Sequence, residues 1–223
     1  MCTVPVRCGL ESSRAPDHPG RRPPQVTLQH IDRPPAGDSV GALVFFHGYS
    51  GDPADFVAFL NKIDPERRFH GYLPRAPHPG EGGRRSWFNR GSSDPEEKQL
   101  GALIEWLEGV PHARERIVFG GLSQGANVAY AVGLGPRYQR PAGVIALAGG
   151  FRDDLPPDLE RPLPPIAIAH GRADESVPVS VARHARDVLA RAGATVLYLE
   201  TYSGHGIDEA VIPDLRSFLA KLP

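Results

Sequence analysis

One short stretch of the sequence, Gly121-Leu122-Ser123-Gln124-Gly125, has residue types and spacing suited to nucleophilic chemistry. It follows the apolar run Ile117-Val118-Phe119 and precedes a small-residue helical stretch, Ala126 to Ala131. Strand, sharp turn and helix in that order make Ser123 a candidate nucleophile. Such a turn is strained and crowded. Side chains at 121 and 125 would collide with the adjoining strand and helix, so both positions need glycine. The turn lifts the Ser123 hydroxyl above the sheet edge and sets it at a helix N-terminus, whose dipole favours developing negative charge.

A serine hydroxyl needs a base, and nine histidines compete for that role. His205, in Ser203-Gly204-His205-Gly206, lies between the last apolar run and the last helical pattern. Loops of that kind converge on one crevice in a parallel sheet. His170, ahead of Gly171, reads as structural. His184 reads as helix surface. His18, His78 and His112 sit in proline-flanked or turn contexts. The imidazole in turn needs an acid to fix its tautomer. Asp174 directly follows the run Ile166 to Ala169. Its neighbour Glu175 is a rival, and Asp153, Asp154 and Asp158 are more distant ones. Acyl transfer also needs donors for a tetrahedral oxyanion, each contributing on the order of 3 kcal/mol. The main-chain N–H groups of Gln124 and of Tyr49, in His47-Gly48-Tyr49-Ser50-Gly51-Asp52, are the candidates. His47-Gly48 also reads as a strand-ending turn, followed by Asp52 or a neighbour capping the next helix, and both readings can hold. The resulting chemistry is attack of Ser123 on an ester or thioester carbonyl. His205 acts as base and then acid, and water resolves the acyl-enzyme.

These residues must be positioned by regular elements. Short continuous apolar runs recur: Ala42 to Phe46, Ile117 to Phe119, Val144 to Leu147, Ile166 to Ala169 and Val196 to Leu199, with a weaker one at Phe69 to Leu73. Strands covered by helices on both faces need such runs. Gln25 to Ile31 alternates instead, as a half-buried antiparallel edge strand does. Helical spacing lies between the runs: Phe56, Phe59, Leu60 and Ile63; then Leu100, Leu103, Ile104 and Leu107, opened by Asp94 as N-cap and Pro95; then Val181, Ala185, Val188 and Ala192; then Val211, Leu215, Phe218 and Leu219. Strands alternating with helices predict right-handed crossovers and a mostly parallel central sheet with helices on both faces and no large lid. The order Ser123, Asp174, His205 is that of the α/β-hydrolase fold. Residues 1–24, proline-rich and polar, read as a flexible leader, and 25–223 as one α/β-hydrolase domain.

Four blocks together resemble the phospholipase/carboxylesterase family, which includes acyl-protein thioesterases and small bacterial carboxylesterases. They are His47 to Asp52, Ser86-Trp87-Phe88, Gly121 to Gly125, and His170-Gly171 through Asp174 to Val177-Pro178 with Gly204-His205. The resemblance spans about residue 25 to the C-terminus. It implies hydrolysis of esters or thioesters of small to medium acyl groups, without metal or organic cofactor. It also implies that Trp87, with Phe88 beside it, lines the substrate cleft; a core aromatic is the alternative for Trp87. In the family an aspartate usually follows the aromatic block, whereas Asn89-Arg90 follows here. With Arg84 and Arg85, Arg90 would bring positive charge near the cleft and favour substrates bearing an anion.

Composition narrows the remaining classes. The 223 residues are 40% apolar and 23% charged, with a formal net charge of −1. No basic stripe supports nucleic-acid binding. Only two cysteines occur, Cys2 and Cys8, too few for a disulfide scaffold. No apolar stretch has signal-peptide or membrane-span length, so a cytoplasmic protein without stable membrane insertion is expected. The expected partner is a small ester or thioester, and a homodimer is left open. No phosphate loop, dinucleotide fingerprint or metal-ligand signature is present. Two other readings stand: a dienelactone-hydrolase-like enzyme, which would carry cysteine where Ser123 stands, and a catalytically silent α/β-hydrolase acting as a binding protein.

Overall fold

A computed structural model describes residues 28–89, 98, 100–136 and 139–222. The leader expected over 1–24, the Asp94–Pro95 cap and Arg90 lie outside the described residues. In chain order the elements are β1 (His30–Arg33), β2 (Gly41–Phe46), α1 (Val57–Ile63), β3 (Phe69–Pro74), β4 (His78–Pro79), β5 (Arg85–Ser86), α2 (Gly101–Glu108), β6 (Ile117–Leu122), α3 (Gln124–Leu134), β7 (Gly143–Leu147), β8 (Ile166–Gly171), α4 (Val179–Arg191), β9 (Val196–Thr201) and α5 (Ile212–Ala220).

Seven strands form one sheet in the order β1-β3-β2-β6-β7-β8-β9. β1 pairs antiparallel with β3, and the rest are parallel. Side chains alternate faces along each apolar run, so both faces carry a core. Val44, Phe46, Phe119, Val144, Ala146, Ile166 and Ile168 pack with residues of α2, α3 and α4. Leu43, Phe45, Val118, Ile145, Leu147, Ala167 and Ala169 pack on the other face with residues of α1 and α5. This two-sided burial is why the runs are continuous rather than alternating. β2 lies between β3 and β6, so the chain leaves β2 toward one edge and β6 toward the other. That reversal opens a crevice at the strands' C-terminal ends. The loops after β2 and β6 flank it, and they carry His47 to Asp52 and Ser123.

Three local expectations shift. Within the described residues the edge strand runs from His30 to Arg33, beyond the expected end at Ile31. Residues 25–27 lie outside the described residues. Its end is fixed by a buried ion pair: the Arg33 guanidinium donates to Asp64 Oδ2 at 2.9 Å, to Asn61 Oδ1 at 2.7 Å and to Phe69 O at 3.3 Å. Apolar periodicity is blind to a buried charge. α4 buries Ala182, Ala185 and Leu189 instead of Val181, Ala185, Val188 and Ala192. Alanines let this helix sit close to the sheet, while Val181 packs on Gly150, where an added Cβ would lie 2.2 Å from Val181 Cγ1. α2 buries Leu103 and Leu107 as expected and Trp106 in addition. The predicted faces on α1 and α5 are buried as read. Among the described residues, no helix is long and apolar enough to cross a membrane.

Candidate active site

The serine turn is strained as its motif requires. Ser123 has φ 55° and ψ −117°, a left-handed conformation rare for a residue with a side chain. It is clamped on both sides: its N–H donates to Leu147 O at 2.8 Å, and its carbonyl accepts the Ala126 N–H at 2.9 Å. Both motif glycines are contact points between backbones. A Cβ on Gly121 would lie 2.2 Å from Gly125 O, and one on Gly125 would lie 2.0 Å from Phe46 O. α3 therefore starts directly on β6 and on the end of β2. Gln124 is its first residue, and its N–H belongs to the donors that every helix N-terminus leaves without an intrahelical partner.

The loop after β2 lies against this turn. A Cβ on Gly48 would sit 3.6 Å from Ser123 Cβ. Gly51 N–H closes the loop on Gly48 O at 3.1 Å, with Ser50 at φ 50°. This makes a tight turn with Tyr49 at its first central position. Asp52 then caps the following 3-10 turn, Pro53–Phe56, by accepting the Ala54 N–H at 2.9 Å, as the turn-and-cap reading of the block expects. His47 is buried. Its Nδ1–H donates to Gly48 O at 2.8 Å, and its Nε2 accepts the Ala76 N–H at 3.1 Å. Those two bonds fix the tautomer. Burial pushes the His47 imidazole below its ordinary pKa, partly offset by the bond to Gly48.

The short ribbon of β4 and β5 latches the loop from outside. Gly51 pairs antiparallel with Arg85, and Arg84 donates to Ser50 O at 3.1 Å. The block that follows reaches inward. Ser86 Oγ lies 3.1 Å from Gln124 Oε1, and the Trp87 N–H donates to that oxygen at 2.8 Å. The Trp87 indole N–H donates to His47 O at 2.8 Å. Trp87 and Phe88 are 0% and 4% exposed. Trp87 packs edge-on against Phe46, and the Arg152 guanidinium covers the Phe88 ring. This burial favours the core-aromatic alternative over the expected cleft-lining role. Trp87 ties the serine turn to the loop after β2. Sequence reading missed this positioning role of Ser86, Trp87 and His47; the signal was their polar atoms inside otherwise apolar or glycine-rich blocks.

His205 and Asp174 meet after β9 and β8. His205 Nδ1 lies 2.7 Å from Asp174 Oδ2. The carboxylate is buried, whereas the imidazole is 29% exposed. Asp174 Oδ1 accepts the N–H groups of Ser176 at 2.9 Å and Val177 at 2.8 Å. Burial alone would raise this carboxyl. The bonds from Val177, His205 and Ser176 outweigh it and hold the group below its ordinary pKa. With Nδ1–H committed to a carboxylate, Nε2 of His205 presents its lone pair and can accept a proton. Glu175, the neighbouring rival, is exposed, as are Asp153 and Asp154, while Asp158 pairs with Arg161 at 2.6 Å. His184 is exposed, and His112 bonds Ser39 Oγ at 3.0 Å. Among the described residues, no group of three or more His, Cys, Asp or Glu side chains is arranged to hold a metal ion.

Known proteins share this architecture. The sequence matches the phospholipase/carboxylesterase family over residues 33–223. The fold is similar to that of the Bacillus cereus carboxylesterase, with TM-score 0.74 and 20% identity over 87% of this chain and 94% of that one. It is also similar to a phospholipase/carboxylesterase from Dyadobacter fermentans, with TM-score 0.67 and 22% identity over 87% and 97% of the two chains. Zea mays acyl-protein thioesterase 2 gives TM-score 0.68 and 19% identity over 87% and 98%. No curated protein matches the sequence. A parallel sheet with a glycine-clamped serine at its switch point, joined to a family match across most of the chain, leads to one conclusion: the chain belongs to the phospholipase/carboxylesterase family and is an esterase-type hydrolase.

Proposed function

We propose that the protein hydrolyses carboxylic esters or thioesters of small to medium acyl groups through Ser123, His205 and Asp174. The observation that carries this reading is the 2.7 Å bond between His205 Nδ1 and the buried Asp174 carboxylate. It turns His205 Nε2 into a proton acceptor, on a loop at the same sheet edge as the strained Ser123. In this mechanism Nε2 takes the hydroxyl proton as Ser123 Oγ attacks the carbonyl carbon. The N–H groups of Tyr49 and Gln124 stabilise the oxyanion. His205 returns the proton to the leaving alcohol or thiol, and the acyl-enzyme forms. Water then attacks with the same base and the same donors.

The substrate class is narrowed by charge. Arg84 is engaged by Ser50 O and lies 3.8 Å from Asp55 Oδ2. Arg85, paired through its backbone with Gly51, buries its Nε without a hydrogen-bond partner among the described residues. A guanidinium in that condition next to the candidate oxyanion loop favours esters that carry a carboxylate.

The test is a panel of p-nitrophenyl esters and acyl thioesters of graded chain length, run with a fluorophosphonate probe. Intact protein is expected to turn over members of the panel and to take the label. Ser123→Ala should lose both, and His205→Ala should lose nearly as much turnover. Full turnover by Ser123→Ala would refute the assignment. Failure of the intact, folded protein to label would favour the silent binding protein.

A further inference from the structure

The Asp174 carboxylate touches a second imidazole. Nε2 of His170 lies 3.2 Å from Asp174 Oδ2, the oxygen that also faces His205 Nδ1 at 2.7 Å. His170 belongs to β8, and its side chain and that of Asp174 are both wholly buried. The same Nε2 lies 2.8 Å from Val177 O. Both neighbours of this nitrogen are acceptors, so it carries the proton; it donates to Val177 O, and the Asp174 carboxylate lies beside it at ion-pair distance. Asp174 Oδ1 accepts the N–H groups of Ser176 and Val177, and Oδ2 faces the His205 N–H with the His170 Nε2 beside it. Rotation of the carboxylate would break bonds on both oxygens at once.

The opposite nitrogen of the ring supports the same orientation. His170 Nδ1 is buried and has no hydrogen-bond partner among the described residues. His170 also lines a cavity of about 10 Å³ together with Thr201, Ser203 and Asp208. That is about the size of one water, which could donate to Nδ1 and so favour the Nε2–H form. The other charged groups nearby are engaged elsewhere or do not bond the ring. Glu200, opposite His170 on β9, is held by Arg172 and Arg183, and Asp208 caps the turn Glu209–Val211.

We infer that His170 is a positioning residue: it locks the Asp174 carboxylate in the orientation that holds His205. This rests on the proposed roles of Ser123, Asp174 and His205. By donating to Val177 O, His170 holds the turn whose Val177 N–H in turn holds Asp174 Oδ1, and so fixes the direction of the Asp174–His205 bond. Losing this donor should therefore lower kcat.

Three variants separate this from a packing role. His170→Leu removes the donor. His170→Gln places an amide N–H near the position of Nε2. His170→Asn places it near Nδ1, out of reach of Val177 O. The expected result is a fall in kcat of about tenfold or more in the Leu and Asn variants, the size of effect seen when outer partners of site residues are lost. KM should stay nearly constant. Gln should restore most of kcat. If the Leu variant does not fold, the contrast between Gln and Asn decides. Equal kcat in the Gln and Asn variants would overturn the inference. Ser123→Ala and Asp174→Asn are measured in parallel. If those two retain full turnover, the underlying catalytic reading fails, whereas their loss of turnover beside an unaffected His170 series refutes the positioning role alone.

Discussion

The Trp87 main-chain N–H donates to Gln124 Oε1 at 2.8 Å, and its indole N–H donates to His47 O at the same distance. One buried residue thus joins the helix that starts at the serine turn to the loop that carries Tyr49. Trp87→Phe keeps most of the ring packing and removes the indole bond, leaving His47 O without that donor. Unfolding in urea should show a loss of about 1 kcal/mol or somewhat more. Ester hydrolysis should show a larger fall in kcat than in affinity, since the candidate oxyanion donors lose their common anchor. A variant with lowered stability but unchanged kcat would show that the loop holds its shape without Trp87.

The two motif glycines should be far less replaceable than a glycine in open space such as Gly37. In Gly125→Ala the new methyl would lie 2.0 Å from Phe46 O and 2.7 Å from His47 O, both backbone atoms that cannot swing aside. The cost should reach about 3 kcal/mol or more, the upper end of overpacking. Gly37→Ala meets nothing within 4 Å and has no positive φ. It should change stability by no more than about 0.5 kcal/mol. Urea midpoints for the two variants check the contrast, and similar midpoints would contradict the packing described at Gly125.

The parts of this architecture that were legible in the sequence are those in which one residue type has one physical reason. Continuous apolar runs marked strands buried on both faces, and glycines at 121 and 125 marked backbone contacts that no side chain could enter. Asp174 and His205 followed from the rule that loops at the C-terminal ends of parallel strands converge. What stayed hidden depends on partners distant in sequence. The continuation of the edge strand to Arg33 was hidden because Asp64, Asn61 and Phe69 O, which surround its guanidinium, are distant in sequence. Trp87 could be placed in a cleft or a core on type alone, and only its bonds to Gln124 and His47 decide. His170 read as structural because its ring nitrogen's acceptors come from the turn beyond the strand. On α4, alanine outranked valine for the buried face because closeness to the sheet mattered more than side-chain size.

Arg85 gives the substrate prediction its handle. Arg85→Ala should lower kcat/KM for an ester bearing a carboxylate on its acyl chain and leave a neutral ester of equal length nearly unchanged. The acidic-to-neutral ratio should fall about tenfold, the scale of one charge-assisted bond of about 1.5 kcal/mol. Raising salt should narrow the same ratio in the intact protein if the arginine is partly solvated. An acidic-to-neutral ratio that is the same in both proteins would remove Arg85 from substrate selection.

His47 links the loop to pH. In the unfolded chain its imidazole titrates near 6.5, whereas in the folded chain burial lowers the value. As pH falls through 6.5, the unfolded state binds a proton that the folded state resists. The stability from this group is therefore complete above the unfolded value. It declines as pH falls until the folded value is reached, where the decline stops. His112 is lowered in the same direction, also mainly by burial, so the slope of the intact protein has at least two sources. His47→Asn isolates one of them. Its amide can still donate to Gly48 O but offers no acceptor to the Ala76 N–H, so stability near neutrality should drop by about 1–3 kcal/mol. The slope of unfolding free energy against pH, on the acid side of neutrality, should become shallower than in the intact protein. Parallel slopes for the two proteins would mean that His47 is protonated equally in both states and is not held neutral by the loop.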